Sequence, residues 1–372
     1  MKLNIISLDN PFPPDYGGAI DIYFKIKSLS ELGCKINLHY FYSNRNPSPE
    51  LEGICKEVFY YPRKSYLNTV INIRTPFVVS SRNSEELISN LSRNNYPILF
   101  DGLQSSFISK RKEFKNRKKY LRVHNIESEY MKNLSNAEQN WIHKIGLILD
   151  SYRYKKFENK LNHFESIFAI SEKDQKYHQK YHQNVFLLNV FHGESKIQSK
   201  LGIGKYILYH GNFNVSENFK AAMFLINNVF NNLELPIKIA GKNAFKRLHP
   251  YIDNSNTKIV DSPNLEFMKK LIKDAHINVL PTFQSTGVKL KLINSLFWGR
   301  HCIVNNKMIL PTPQLKKMCE ISNSPEEYIN KINEIIKLPF SKNDIKTREG
   351  ILLKYFNDSE NSKILAEHIF NE

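Results

Sequence analysis

The stretch INVLPTFQSTGVKLKLINSLFWGRHCIVN, residues 277–305, contains a complete strand–loop–helix–strand unit. INVLP is apolar without alternation, and a loop bearing Gly287 follows it. Val288, Leu290, Leu292, Ile293, Leu296 and Phe297 then recur around a helix, leaving a polar seam of Gly287, Lys291, Asn294 and Ser295. HCIVN (301–305) is the second apolar strand. Strands without alternation belong to parallel sheets covered on both faces. The same rhythm runs back to Tyr206: YILYHG precedes a helix expected over 217–231, IKIAG a short helix, and KIV a helix over 265–274.

The first half repeats the pattern. A strand over 3–8 leads through a Pro/Gly loop into a helix with Ala19, Ile22, Ile26 and Leu29 at helical spacing and Gly33 as its stop. CKINLHYF, PILF, YLRVH, SIFAI and VFLLNV supply further strands, and 127–163 reads as mostly helical. Ser171 and Asp174 in SEKD form a capping box. The expected fold is α/β: two tandem doubly wound, Rossmann-like domains with an inter-domain cleft. The domains are expected at 1–191 and 205–340, joined by a linker at 192–204 and followed by C-terminal helices at 341–372.

Two domains suit 372 residues, and a 41% hydrophobic, 24% charged composition is that of a globular protein. MKLNIISLDNPFPP is a first strand, too short in its apolar part for a signal peptide, and no apolar run reaches bilayer-spanning length. Cys34, Cys55, Cys302 and Cys319 are scattered without a C-x-x-C pair, which fits a reduced, cytoplasmic protein with no cysteine metal site. The net charge of +17 favours an anionic partner: nucleic acid, a membrane surface or a phosphorylated ligand. Heavy use of Lys and Asn accounts for part of it. No nucleic-acid reading motif is present, so nucleic acid is not the expected partner, whereas an anionic membrane on the inner face of the plasma membrane is compatible.

Ligands of such folds bind at the carboxyl ends of the strands. Lys289 and Lys291 stand at the opening of a helix, where the dipole favours carboxylates. A phosphate or diphosphate held by Ser285, Thr286, Gly287 and Val288 and neutralised by both lysines removes the conflict; the alternative is that both ammonium groups extend to solvent. The loop PPDYGGA places Tyr16, Gly17 and Gly18 between the first strand and helix, without the G-x-G-x-x-G spacing of dinucleotide sites. His124 and Asn125 end the strand YLRVH, and Glu127 is a candidate helix cap. Gly211 and Asn212 end one strand of the second series, and Gly241 and Lys242 end the next. The basic run SKRKEFKNRKKY (109–120) is either a solvated face or a membrane contact, and the apolar 66–82 segment, ending in Arg82, either rests on the same surface or lines an acceptor groove.

Taken together these motifs resemble the retaining GT-B glycosyltransferases of the family-4 group. PPDYGGA is similar to the family's glycine loop, VHNIE to its histidine segment, AISEKD to its Ser-x-x-Asp turn, and ILYHGNFNVSEN to the start of its donor domain. TGVKLKLINSLFWGRHCIVNN resembles a branch reading G-[IV]-[KR]-x-K before the helix. The resemblance implies transfer of a sugar, with retention and without metal or other cofactor, from a UDP- or GDP-linked nucleotide sugar to a saccharide or lipid-linked acceptor. It implies donor binding by the C-terminal domain, including Gly211, Asn212, Gly241, Lys242 and residues 285–288, and acceptor binding by Tyr16, Asn125 and Arg82. His124 takes the role of the family histidine, Gly17 and Gly18 approach the phosphates, and the last helix returns to the first domain. The chain departs from the family where two glutamates eight positions apart are common: Thr286 and Asn294 stand there. The basic residues that usually follow the first donor-domain strand are missing too, so Lys289 and Lys291 are expected to supply the diphosphate clamp, with a role in catalysis. Another GT-B chemistry such as nucleotide-sugar epimerisation, an inactive relic, and a basic nucleic-acid-binding protein are the alternatives.

Overall fold

The computed structural model describes residues 1–43, 45–65, 74–138, 140–253, 255–284 and 286–371. It divides into two compact units. The first comprises Met1–Gly193, Thr286–Val288 and Phe356–Glu372, and the second Glu194–Ser285 and Lys289–Tyr355. Ser285 and residues 66–73 of the expected 66–82 groove lie outside the described residues.

The first unit is built on β1 (Lys2–Ser7), β2 (Lys35–Tyr42), β3 (Glu57–Pro62), β4 (Ile98–Asp101), β5 (Lys119–Val123), β6 (Ser166–Ala169) and β7 (Val185–Leu187). All pair in parallel, in the order β3-β2-β1-β4-β5-β6-β7. The order reverses between β1 and β4. Each face of the sheet carries a separate apolar core: Ile22, Ile26 and Leu29 of the Gly17–Glu31 helix pack on one, Tyr154 and Leu161 on the other. Leu365, Ala366 and Ile369 of the last helix, Asp358–Phe370, join the first of these cores. Tyr120 donates to the Ile369 carbonyl at 3.3 Å, and Asp358 accepts from the Gly193 amide at 2.7 Å.

The second unit holds β8 (Ile207–His210), β9 (Ile237–Gly241), β10 (Thr257–Asp261), β11 (Ile277–Leu280), β12 (His301–Val304) and β13 (Glu320–Ile321). These too are parallel, in the order β10-β9-β8-β11-β12-β13, with the reversal between β8 and β11. Residues 194–204, read from sequence as a linker, are part of this unit: Glu194 pairs with Lys269 at 3.1 Å and the Gln198 amide donates to the Phe297 carbonyl. The Lys342–Tyr355 helix belongs here as well, its buried Arg348 donating to the carbonyls of Leu296, Gly299 and Arg300.

The helix at the heart of the opening stretch starts later than its sequence suggests, at Leu290, and runs to Trp298. Gly287 takes a left-handed φ of +65°, and Lys289 is extended at the N-cap position. Lys291 alone therefore lies within the first turn, and Lys289 precedes it. The helix expected at 217–231 shortens to Ser216–Asn228, followed by a 3-10 turn at Phe230–Asn232.

Candidate functional site

Each unit gathers its functional candidates at its own switch point. In the first, β4 ends on Asp101 and β5 is followed by His124. The first helix brings Asp21 and Lys25 one turn apart beside them, and Arg122 comes from within β5. Lys25 Nζ lies 2.9 Å from Asp21 and 2.7 Å from Asp101. Arg122 donates to both oxygens of Asp21, at 2.9 and 3.3 Å, and to the carbonyls of Leu188 and Asn189. Burial alone would raise both carboxyl groups. The groups beside them reverse that: Arg122 and Lys25, helped by His124, hold Asp21 far below the usual carboxylate range, and Lys25 with the His124 hydrogen bond lowers Asp101.

His124 Nε2 donates to Asp101 at 2.8 Å, which fixes the ring. In the neutral imidazole this leaves the lone pair on Nδ1, the atom nearest the glycine loop. A Cβ on Gly18 would press on the Tyr16 ring at 3.0 Å and make ordinary contact with His124 Nδ1 at 3.9 Å, so the loop runs alongside the imidazole. Gly17 opens the helix, Tyr16 donates to Asp9 at 3.1 Å, and half-buried Asn125 follows His124. Arg82, expected to touch an acceptor, is buried instead: its guanidinium donates to the Leu8 carbonyl at 2.7 Å and the Val78 carbonyl at 2.6 Å. It props the loop after β1.

Asp21, Asp101 and His124 bring three ligand atoms within 4.8 Å of one another, a spacing that a metal ion could use. Lys25 already bridges both carboxylates, so the protein's own ammonium occupies the charge-compensating position.

In the second unit the loops after β8 and β11 converge. Gly241 has φ +149° and a Cβ there would fall 1.7 Å from the Gly211 carbonyl oxygen, so these two glycines serve loop-on-loop contact. Asn212 accepts from the Asn214 amide at 3.1 Å, and exposed Lys242 lends its carbonyl to the Phe213 amide. Lys289 Nζ lies 3.6 Å from Glu217, in the first turn of the Ser216–Asn228 helix, and Glu217 also accepts a short hydrogen bond from the Thr282 hydroxyl. Lys291 donates to Asn218 at 2.9 Å and lies over the Tyr209 ring. Burial lowers both lysines, Glu217 opposes this, and Lys291 is brought down to about 8. His210, bonded to Ser295 at 3.0 Å, is pushed down to about 3 by burial and by Lys291. One helical turn into the Leu290–Trp298 helix, Asn294 holds a buried Oδ1 with no hydrogen-bond partner among the described residues. Of the preceding residues, which belong to the first unit, Thr286 and Gly287 are buried and Val288 is half-buried.

Comparison with solved structures decides the architecture. Sucrose-phosphate synthase from Thermosynechococcus elongatus superposes with a TM-score of 0.71 at 12% identity, over 99% of this chain and 98% of that one. WaaG, a glycosyltransferase involved in lipopolysaccharide biosynthesis, gives 0.64 at 10% identity over all of both chains. A TarM variant from S. aureus, in complex with fondaparinux, alpha-GlcNAc-glycerol and UDP, gives 0.67 at 10% identity over 99% of each. The chain has the GT-B fold.

No family model matches the GT-B chain. Among curated proteins it is 24% identical, over 100% of its length and 99% of the other's, to an uncharacterised 44.6 kDa protein in a cps region of Klebsiella pneumoniae. Five of the residues that build its two switch points escaped the sequence reading: Asp21, Lys25, Asp101, Arg122 and Glu217. Three carried a signal. Asp21 and Lys25 sit four apart on a column bordering the apolar stripe of the first helix, and Arg122 interrupts an otherwise apolar strand. Charges in those positions are tolerated only when paired. Lys220 lies over the Phe283 ring at 5.2 Å, making no ion pair among the described residues.

Proposed function

We propose that this GT-B protein is a glycosyltransferase that moves a sugar from a nucleoside-diphosphate sugar to a saccharide or lipid-linked acceptor during synthesis of a surface polysaccharide. The observation that carries the reading is the second unit's switch point: Lys289 pairs with Glu217, whose charge also acts on buried Lys291, and one turn on Asn294 Oδ1 is buried without a donor among the described residues. Two cations against one anion leave an excess positive charge in a poorly hydrated place, and the Leu290–Trp298 helix adds its open amides. A diphosphate meets the charge, and a ribose hydroxyl is a natural donor to Asn294.

Glycosyl transfer builds negative charge on the departing nucleoside diphosphate, so cations fixed before reaction lower the barrier. Lys289 and Lys291 supply that charge here, and a metal ion has no part in this reading. His124, its ring held by Asp101, offers Nδ1 to a hydroxyl of the donor sugar or acceptor. Retention of configuration follows from the sequence resemblance. Support for a surface polysaccharide comes from the cps-region relative and from WaaG, whose own role is in lipopolysaccharide.

The test is release of UDP or GDP from a panel of sugar nucleotides with and without candidate acceptors. Acceptor-dependent release is expected. Nucleotide binding without release in any combination indicates a relic, and a product changed at the sugar without transfer indicates an epimerase.

A further inference from the structure

The helix Trp141–Glu158 is apolar on two opposite sides. Leu147, Tyr154 and Phe157 face the core of the first unit. Across the axis, Trp141, Ile142, Ile145, Ile148, Leu149 and Tyr152 form a continuous stripe that is 49–68% exposed. The spacing 141, 145, 148, 152 keeps the stripe on one side of the helix over three turns. Scattered exposed apolar residues are ordinary, but a contiguous ridge on a water-facing helix marks a contact surface.

What the ridge contacts is indicated by the charges around it. Lys144 and Lys155 flank one edge. Along the other, a groove of about 730 Å³ is lined by Arg74, Lys110, Arg153, Lys156 and Lys160, and no acid lines it among the described residues. Arg153 is paired with Asp150 at 3.0 Å, but Lys110 is held down by burial and by the like charge of Lys160. Leu149 and Tyr152 belong to both groove and ridge, so apolar and cationic surfaces meet along a single line. Of the basic run at 109–120, only Lys110 lines this groove: Phe114 is buried, Arg117 and Lys119 donate to backbone carbonyls, and Arg111 pairs with Glu85 and Glu113.

We infer that the Trp141–Glu158 helix seats the protein on an anionic lipid bilayer, with its apolar ridge in the interface and a lipid phosphate in the Lys110–Lys156–Lys160 groove. A protein partner would explain the ridge but gives no reason for an adjoining acid-free groove. A soluble phosphate would explain the groove but not the ridge. An anionic lipid explains both, because its headgroup and chains present the two chemistries side by side.

The inference does not rest on sugar transfer, since vesicle binding is read without donor or acceptor. The full chain is floated with vesicles of phosphatidylcholine alone and of an equimolar mixture with phosphatidylglycerol. Binding to the mixture is expected, with little to phosphatidylcholine and with a blue shift of Trp141 emission against the buried Trp298 background. Ile145→Asp with Ile148→Asp, and separately Lys156→Glu with Lys160→Glu, should each weaken binding on the order of tenfold or more. Both pairs are on the surface, so melting temperatures should stay at the wild-type value. Four outcomes overturn the inference: no flotation with either vesicle; flotation insensitive to both variant pairs; ridge variants that alter only self-association on gel filtration; and inorganic phosphate binding in the groove without vesicle binding.

Discussion

The two switch points of this molecule use charge in opposite ways. In the first unit Lys25 and Arg122 face Asp21 and Asp101, two cations against two anions, with every charged group buried and partnered. In the second, Glu217 is the carboxylate that acts on Lys289 and Lys291, and Asn294 Oδ1 has no hydrogen-bond partner among the described residues. The first arrangement is complete without a ligand, and its effect is to hold one ring, His124, in a fixed orientation. The second is unfinished. A neutral, saturated cluster stabilises and orients, whereas an unbalanced one is held ready for an anion.

The sharpest way to break this contrast is to remove one cation from each. Lys25→Met removes the ammonium shared by two buried carboxylates, leaving Asp101 with only the His124 ring, and should cost about 3–5 kcal/mol in denaturant unfolding. An effect below about 1 kcal/mol would show that the first cluster is not the closed structural unit described. Lys289→Met and Lys291→Met should leave stability within about 1 kcal/mol of wild type, and lower transfer turnover about 10²-fold or more. If the pattern is reversed, with stability lost in the second unit and turnover in the first, the two roles have been exchanged.

The first unit also keeps three acids out of water. Burial raises Glu127 to about 8 and Asp174 to about 6, and it raises Glu158 as well. A carboxyl whose folded value exceeds its unfolded one stabilises the protein below the unfolded value and loses that contribution as pH rises through the folded value. Above about pH 6.5 the buried histidines, such as His210, are neutral folded and unfolded alike, so Glu127 should there make stability decline by about 1–2 kcal/mol up to pH 8. Glu127→Gln should flatten that decline, as read from urea midpoints at successive pH values. An unchanged slope would place the ionisation elsewhere.

The smallest effect sharpens the role of Lys291. With its value near 8, the free protein carries the full charge at pH 7 and loses it above pH 8. A bound diphosphate favours the charged form, so UDP affinity should fall by up to about tenfold per pH unit above 8. Lys291→Met should abolish this dependence in calorimetric titrations.

Much of this was legible in the sequence. Unalternating strands such as INVL and SIFA gave away parallel sheets buried on both faces, and Gly287 marked the loop where the backbone turns left-handed. The loop glycines, His124 and the lysine pair were picked out because glycine and charge at strand ends have few other reasons to be there. Their partners were not. Asp21 and Arg122 are 101 positions apart, and Glu217 is 72 before Lys289. Pairing over such separations is set by the strand order, which no local pattern encodes. Arg82 illustrates the converse: an arginine near an apolar segment looks like a ligand contact until its hydrogen bonds to Leu8 and Val78 are seen. The Trp141–Glu158 helix was legible as a helix, but its outward apolar ridge is visible only once the inward face is known.

The central claim, that the cation pair of the second unit receives a diphosphate, is tested most directly by calorimetric titration of UDP and GDP into wild type and Lys291→Met at pH 7. Wild type should bind at least one nucleoside diphosphate, and the variant, melting as wild type does, should bind it about tenfold or more weakly. Equal affinity in the two proteins, or no binding of either nucleotide by wild type, would contradict it.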